Sequence, residues 1–144
     1  MFPYFAIRYN EKRNKTVKKL YKINIILSVL IFILFTTPIM IFADEIITFW
    51  LGDDGFLGLE VFIPLCFLGF VYIIQSAHAN AVIAIGADTF IKPAIIMCIS
   101  CPILTIGGYV AIGLKGIPMG AALALLGPAL YIIIRSKKII NELD

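Results

Sequence analysis

Residues 23–43 read INIILSVLIFILFTTPIMIFA, 21 residues without a charge. A helix needs about 20 mainly apolar residues to cross a bilayer, so this stretch predicts a membrane span, and Pro38 sits where a kink near its far end is tolerated. Composition generalises the point. A mean hydropathy of +1.01, with 61% hydrophobic and 15% charged residues, lies well outside the range of soluble globular domains. The 144 residues have room for about four spans with short loops and for no separate soluble domain. The fold class expected is therefore an all-α integral membrane protein with four transmembrane helices.

Beyond the first span comes DEIITFWLGDDG (44–55), where acids bracket an apolar-aromatic patch. It reads as a short re-entry into the opposite interface, with Trp50 as an interfacial anchor. A second apolar segment, about 56–84, is interrupted by Glu60 and Pro64 and ends in QSAHAN. The loop IGADTFIKP places Pro93 in the first turn of a third span, about 93–113. After LKGIP a fourth span, about 117–134, is expected to end at RSKK. Residues 1–22 then form a helix end plus a basic cytoplasmic linker, 23–135 the membrane domain, and 136–144 a tail.

Seven of the twelve cations fall before the first span: Arg8, Lys12, Arg13, Lys15, Lys18, Lys19 and Lys22. Arg135, Lys137 and Lys138 follow the last, while Asp44, Glu45, Asp53 and Asp54 occupy the first loop. Positive-inside logic places both termini in the cytoplasm, which agrees with an even number of spans. The net charge of +3 reads as membrane orientation, with the lipid bilayer as partner and no nucleic acid. Cys66, Cys98 and Cys101 all lie in apolar surroundings and build no disulfide framework. Inside an apolar helix the CxxC of Cys98 and Cys101 reads as small packing residues, because burial disfavours the thiolate. No catalytic residue, cofactor or metal set is expected, and the chain does not read as an enzyme.

The candidate site residues are few. Glu60 is the one acid inside an expected span; intramembrane carboxylates mark ion or substrate paths, or else snorkel toward the interface. Tyr72, Gln75 and His78 stand near the inner end of the same helix, with Gln75 and His78 on one face and His78 able to titrate near neutrality. The alternative for this group is plain interfacial solvation. Gly116, Gly120 and Ala124 recur every four residues, a small-residue stripe that predicts close helix contact, within the chain or between copies. Pro38, Pro64, Pro102 and Pro128 place one proline in each span, which suits helices that bend.

The order of these features resembles a known family. The succession FPYFAIRYNEKRNKTVKK, a proline-bearing span, IITFWLGDD, a long span ending in AVIAIGADTFIKP, another span and GLKGIPMGAALALL is similar to that of polysaccharide flippases. These O-antigen and capsule-type exporters are related to the multidrug and toxin extrusion transporters. The matching turns are Leu51-Gly52, Ala84 to Pro93, and Gly116 to Ala122. The resemblance implies part of one six-helix lobe, with the four spans as helices nine to twelve and residues 1–9 as the inner end of helix eight. It implies export of an undecaprenyl-diphosphate-linked oligosaccharide across the bacterial plasma membrane by alternating access. A missing N-terminal lobe, or another copy of the chain, would be the partner. Two other classes fit the length: a dimeric four-helix exporter of the small multidrug type, and a non-transporting membrane subunit.

Overall fold

The computed structural model describes residues 2–52, 58–87 and 91–143. The described residues are helical almost throughout, with no strand. Helix α1 spans Phe2–Asn10, α2 Asn14–Ile41, α3 Ala43–Leu51, α4 Leu59–Ile83, α5 Ile91–Ile112 and α6 Gly116–Asn141, with a 3₁₀ turn at Gly113–Lys115 between the last two.

Among the described residues three continuous runs are long and apolar enough to cross a membrane: Asn14–Ile41, Leu59–Ile83 and Ile91–Asn141. The last is 51 residues long, which as one rod would reach about 77 Å, more than twice a hydrocarbon core of about 30 Å. It folds back on itself instead. Gly113 takes φ 72°, a left-handed conformation that glycine adopts without the Cβ penalty, and the chain reverses there. Four long helices result.

Several expected boundaries move. The first helix starts nine residues before Ile23, so much of the basic segment is not a linker but the first two turns of α2. The joint to α1 is tight. Lys12 adopts φ 55°, while the Arg13 amide donates to the Arg8 carbonyl (3.1 Å) and the Lys12 amide to the Tyr9 carbonyl (2.9 Å), the hydrogen-bond pair of a Schellman stop. Gly86 (φ 79°) ends α4 the same way, through Ala87 to Val82 and Gly86 to Ile83. At the other end, RSKK does not cap α6. The helix continues to Asn141 because Ser136 and Ile140 are buried (0% and 2% exposed) and continue its packed stripe. The third span begins at Ile91, two residues before Pro93, which is buried in its first turn. The expected start of the second span at 56 and the acids Asp53 and Asp54 lie outside the described residues, as does Asp88.

The helices do not close into a bundle. They lie side by side in the order α2, α4, α6, α5: α4 touches α2 and α6, α6 touches α4, α5 and, at one end, α2, and α5 touches neither α2 nor α4 among the described residues. Helix α6 is therefore central and uses two stripes. Toward α5 it presents glycines. A Cβ added at Gly116 would fall onto the Gly108 carbonyl, and one at Gly120 onto the Leu104 carbonyl, both backbone groups of α5. Toward α4 it presents Leu125 and Ala129, which pack with Val71. Small residues allow such close backbone approach, and in lipid the gain comes from dispersion rather than from expelling water. Outer helix α5, by contrast, buries only Pro93. Cys98 on it is exposed and Cys101 half-buried beside the Thr105 hydroxyl.

Among the described residues the larger of the two buried apolar clusters lies at one end. Phe5 of α1, Val17 and Tyr21 of α2, Ala81 and Val82 of α4, Ala84 just beyond it and Ile140 of α6 form one buried cluster. The beginning of the described chain and the end of α6 thus meet at the same end of the layer, and Lys18 Nζ donates to the Asn141 carbonyl there (3.1 Å). Short α3 lies at the opposite end. Its Asp44 and Glu45 occupy the first turn, the favourable position for negative charge on a helix dipole, and Phe49 and Trp50 project outward, 90% and 84% exposed.

Candidate functional site

The polar side chains of the layer gather where α2, α4 and α6 converge, just inside the end that carries the cations. His78 is 4% exposed and Tyr21 6%. The Tyr21 hydroxyl hydrogen-bonds His78 Nδ1, and the two rings meet edge to face with centroids 5.3 Å apart. One turn further into α2, Asn24 Nδ2 donates to the Ala77 carbonyl (3.0 Å), so α2 is stitched to α4 by two polar contacts. Apolar neighbours force this arrangement. Ala77, Ala79, Ala81 and Val82 are all buried, and a histidine amid them must find a partner, since an unpaired buried polar group costs a few kcal/mol.

Two buried polar atoms near this region have no protein partner: the Gln75 carbonyl oxygen and the Ser136 hydroxyl. Ser136 is fully buried, and Lys137 beside it on α6 is the cation whose field reaches His78. At the adjoining end of α1, Arg8 donates to the Tyr4 hydroxyl (2.9 Å) and to the Glu11 carboxylate (2.7 Å), and the Tyr4 ring lies 4.7 Å from the guanidinium carbon. The Tyr4 hydrogen bond, then that to Glu11, raises the Arg8 pKa above its ordinary value.

The residues singled out in the sequence are divided by the fold. His78 and Gln75 share this inner region. Tyr72 does not, being 56% exposed on the lipid-facing side. Asn80 is exposed as well. Glu60 lies in the first turn of α4, about 27 Å along the helix from His78 at 1.5 Å per residue. It is an exposed residue at the start of the helix, paired with Lys115 of the 3₁₀ turn. This pair ties the start of α4 to the α5–α6 turn. Gly116 and Gly120 face α5, and Ala124 is buried in α6.

Tyr21, Asn24 and Ser136 escaped the sequence reading. The available signal was modest: Tyr21 and Asn24 are polar-capable residues three apart at the start of an otherwise apolar run, and therefore on one helical face. Chemically the group offers an imidazole with a phenol partner, one amide and one hydroxyl lacking protein partners, and a nearby ammonium. That set can bind a polar group. No family model, curated protein or solved structure matches this chain.

Proposed function

We propose that this chain is part of an exporter that moves a lipid-linked oligosaccharide of the undecaprenyl-diphosphate class across the bacterial plasma membrane, in polysaccharide biosynthesis, with both ends of the layer's cationic side in the cytoplasm. The observation that carries the reading is the open layer. Among the described residues helix α5 contacts only α6 and the 3₁₀ turn, and α2 and α5 do not meet. A layer of this kind is what one wall of a larger transport path requires, and the path is completed by further helices from another lobe or another copy. The substrate class rests on the order of turns and glycine entries from Leu51-Gly52 to Ala122. The inner polar group around His78 sits on the α2–α4 seam, where rocking of one helix against another would make and break the Tyr21 contact.

The Glu60–Lys115 pair weighs against a small multidrug exporter built on Glu60, because the Lys115 ammonium already occupies the carboxylate that a cationic substrate would have to meet. A non-transporting subunit draws on the same open layer and remains the second reading. Reconstitution separates the two. Proteoliposomes containing the chain and any helical partner that co-purifies with it are loaded with lipid-linked oligosaccharide, and glycan arriving in the outer leaflet is read with a lectin. The proposal expects movement only when the chain is present. Equal movement by the partner alone makes the chain a packing subunit, and no movement in either preparation removes the transport reading.

A further inference from the structure

Four lysines at the start of α2, Lys15, Lys18, Lys19 and Lys22, line one open groove of about 350 Å³, a size in the range of small-ligand sites. At 100° per residue they fall within an arc of about 100°, on the side of α2 away from the buried Val17 and Tyr21. Lys15, Lys19 and Lys22 are exposed, and among the described residues no carboxylate pairs with them. Glu11 is the one acid before Asp44, and it is engaged by Arg8 and Arg13. Lys18 lines the groove while also donating to the Asn141 carbonyl.

Directly along the same face, toward the middle of the span, come Ile26, Leu30 and Ile33, 58%, 57% and 50% exposed. From Lys22 to Ile33 is about 16 Å at 1.5 Å per residue, roughly half of a hydrocarbon core of about 30 Å. One face of α2 therefore joins a concentrated positive charge at the interface to an apolar strip one leaflet deep. We infer that this face binds an anionic phospholipid of the bilayer carrying two phosphates, its head group among Lys15, Lys18, Lys19 and Lys22 and an acyl chain along Ile26, Leu30 and Ile33. Charge complementarity selects the occupant. A neutral head group leaves the exposed ammonium groups of Lys15, Lys19 and Lys22 uncompensated, and one phosphate leaves two of them.

This site faces the lipid, away from the α2–α4 seam, and stands or falls independently of the transport reading. The test is native mass spectrometry of the purified full chain in detergent with cardiolipin, a phospholipid bearing two phosphates, as the probe. Phosphatidylcholine, inorganic pyrophosphate and undecaprenyl phosphate are the comparisons. Cardiolipin adducts should survive best. Replacing Lys15, Lys19 and Lys22 by Gln should weaken them about 100-fold, since each lysine near an anionic head contributes about fivefold. The triple arginine variant should retain them, which separates lost charge from lost folding. Removing the three α6 cations instead (Arg135→Gln, Lys137→Gln, Lys138→Gln) should have little effect. Equal loss from both glutamine sets overturns the site in favour of general charge. Pyrophosphate bound as tightly as cardiolipin overturns the acyl strip, and preferential binding of undecaprenyl phosphate overturns the phospholipid as occupant.

Discussion

Tyr21 and His78, 57 residues apart in sequence, are both buried and hydrogen-bond through the phenol and Nδ1. The pair joins α2 to α4 near the cation-bearing end. Its apolar surroundings are chiefly alanines and valines, among them Val17, Ala77, Ala79, Ala81 and Val82.

Tyr21→Phe should destabilise the protein by about 1–2 kcal/mol, the range for a buried hydrogen bond whose second partner is left unpaired in a membrane protein. His78→Leu should cost a similar amount, and the double variant less than the sum. Unfolding in mixed micelles of increasing denaturing detergent measures all three. Strict additivity would show that the two residues are not coupled.

Ser136→Ala should be neutral or stabilising by up to about 1 kcal/mol, because it removes a fully buried hydroxyl that has no protein partner. The same unfolding measurement checks it. A marked loss of stability would mean that the hydroxyl is satisfied after all.

Gly120→Leu should separate the α5–α6 hairpin, since even a Cβ at this position meets the Leu104 carbonyl, and overpacked contacts of this type cost about 1–3 kcal/mol or more. Gly127→Ala is the control, with nothing within 4 Å of its added Cβ. Protease resistance of the purified variants distinguishes them, and equal resistance would contradict the close contact.

Glu60→Gln should leave stability nearly unchanged, because the pair with Lys115 is exposed (side chains 74% and 47% accessible) and ion pairs in that setting contribute little. Thermal denaturation of this variant, of Lys115→Gln and of the double variant reads the effect. A large, non-additive loss would show that the pair holds the α4 start to the α5–α6 turn more firmly than its exposure implies.

Single cysteines placed at Asn10 and Glu142, in a background with Cys66, Cys98 and Cys101 replaced by Ser, should label from the same side of the membrane, and one at Phe49 from the other. Impermeant maleimide applied to intact and opened cells checks this. Labelling of positions 10 and 142 from opposite sides would break the common end defined by Phe5, Tyr21 and Ile140.

The sequence by itself determined that the chain is helical and lipid-embedded, where its apolar runs lie, and which ends carry the charge. Hydrophobic length, proline position and cation placement are local properties, readable without knowing any neighbour. Boundaries were less legible, because α2 and α6 extend through charged segments only where Val17, Tyr21, Ser136 and Ile140 find apolar partners. The glycine stripe at Gly116 and Gly120 was visible, but its mate was not. Only the tertiary structure decided that α5 supplies the opposing backbone, that the helices form an open layer, that Glu60 is met by Lys115, and that His78 belongs with Tyr21 and Asn24. Each of these joins residues more than 50 positions apart or depends on which helices become neighbours. In a uniformly apolar sequence the hydrophobic pattern is nearly the same on every face, so the choice falls to the few small and polar side chains that fit only one partner.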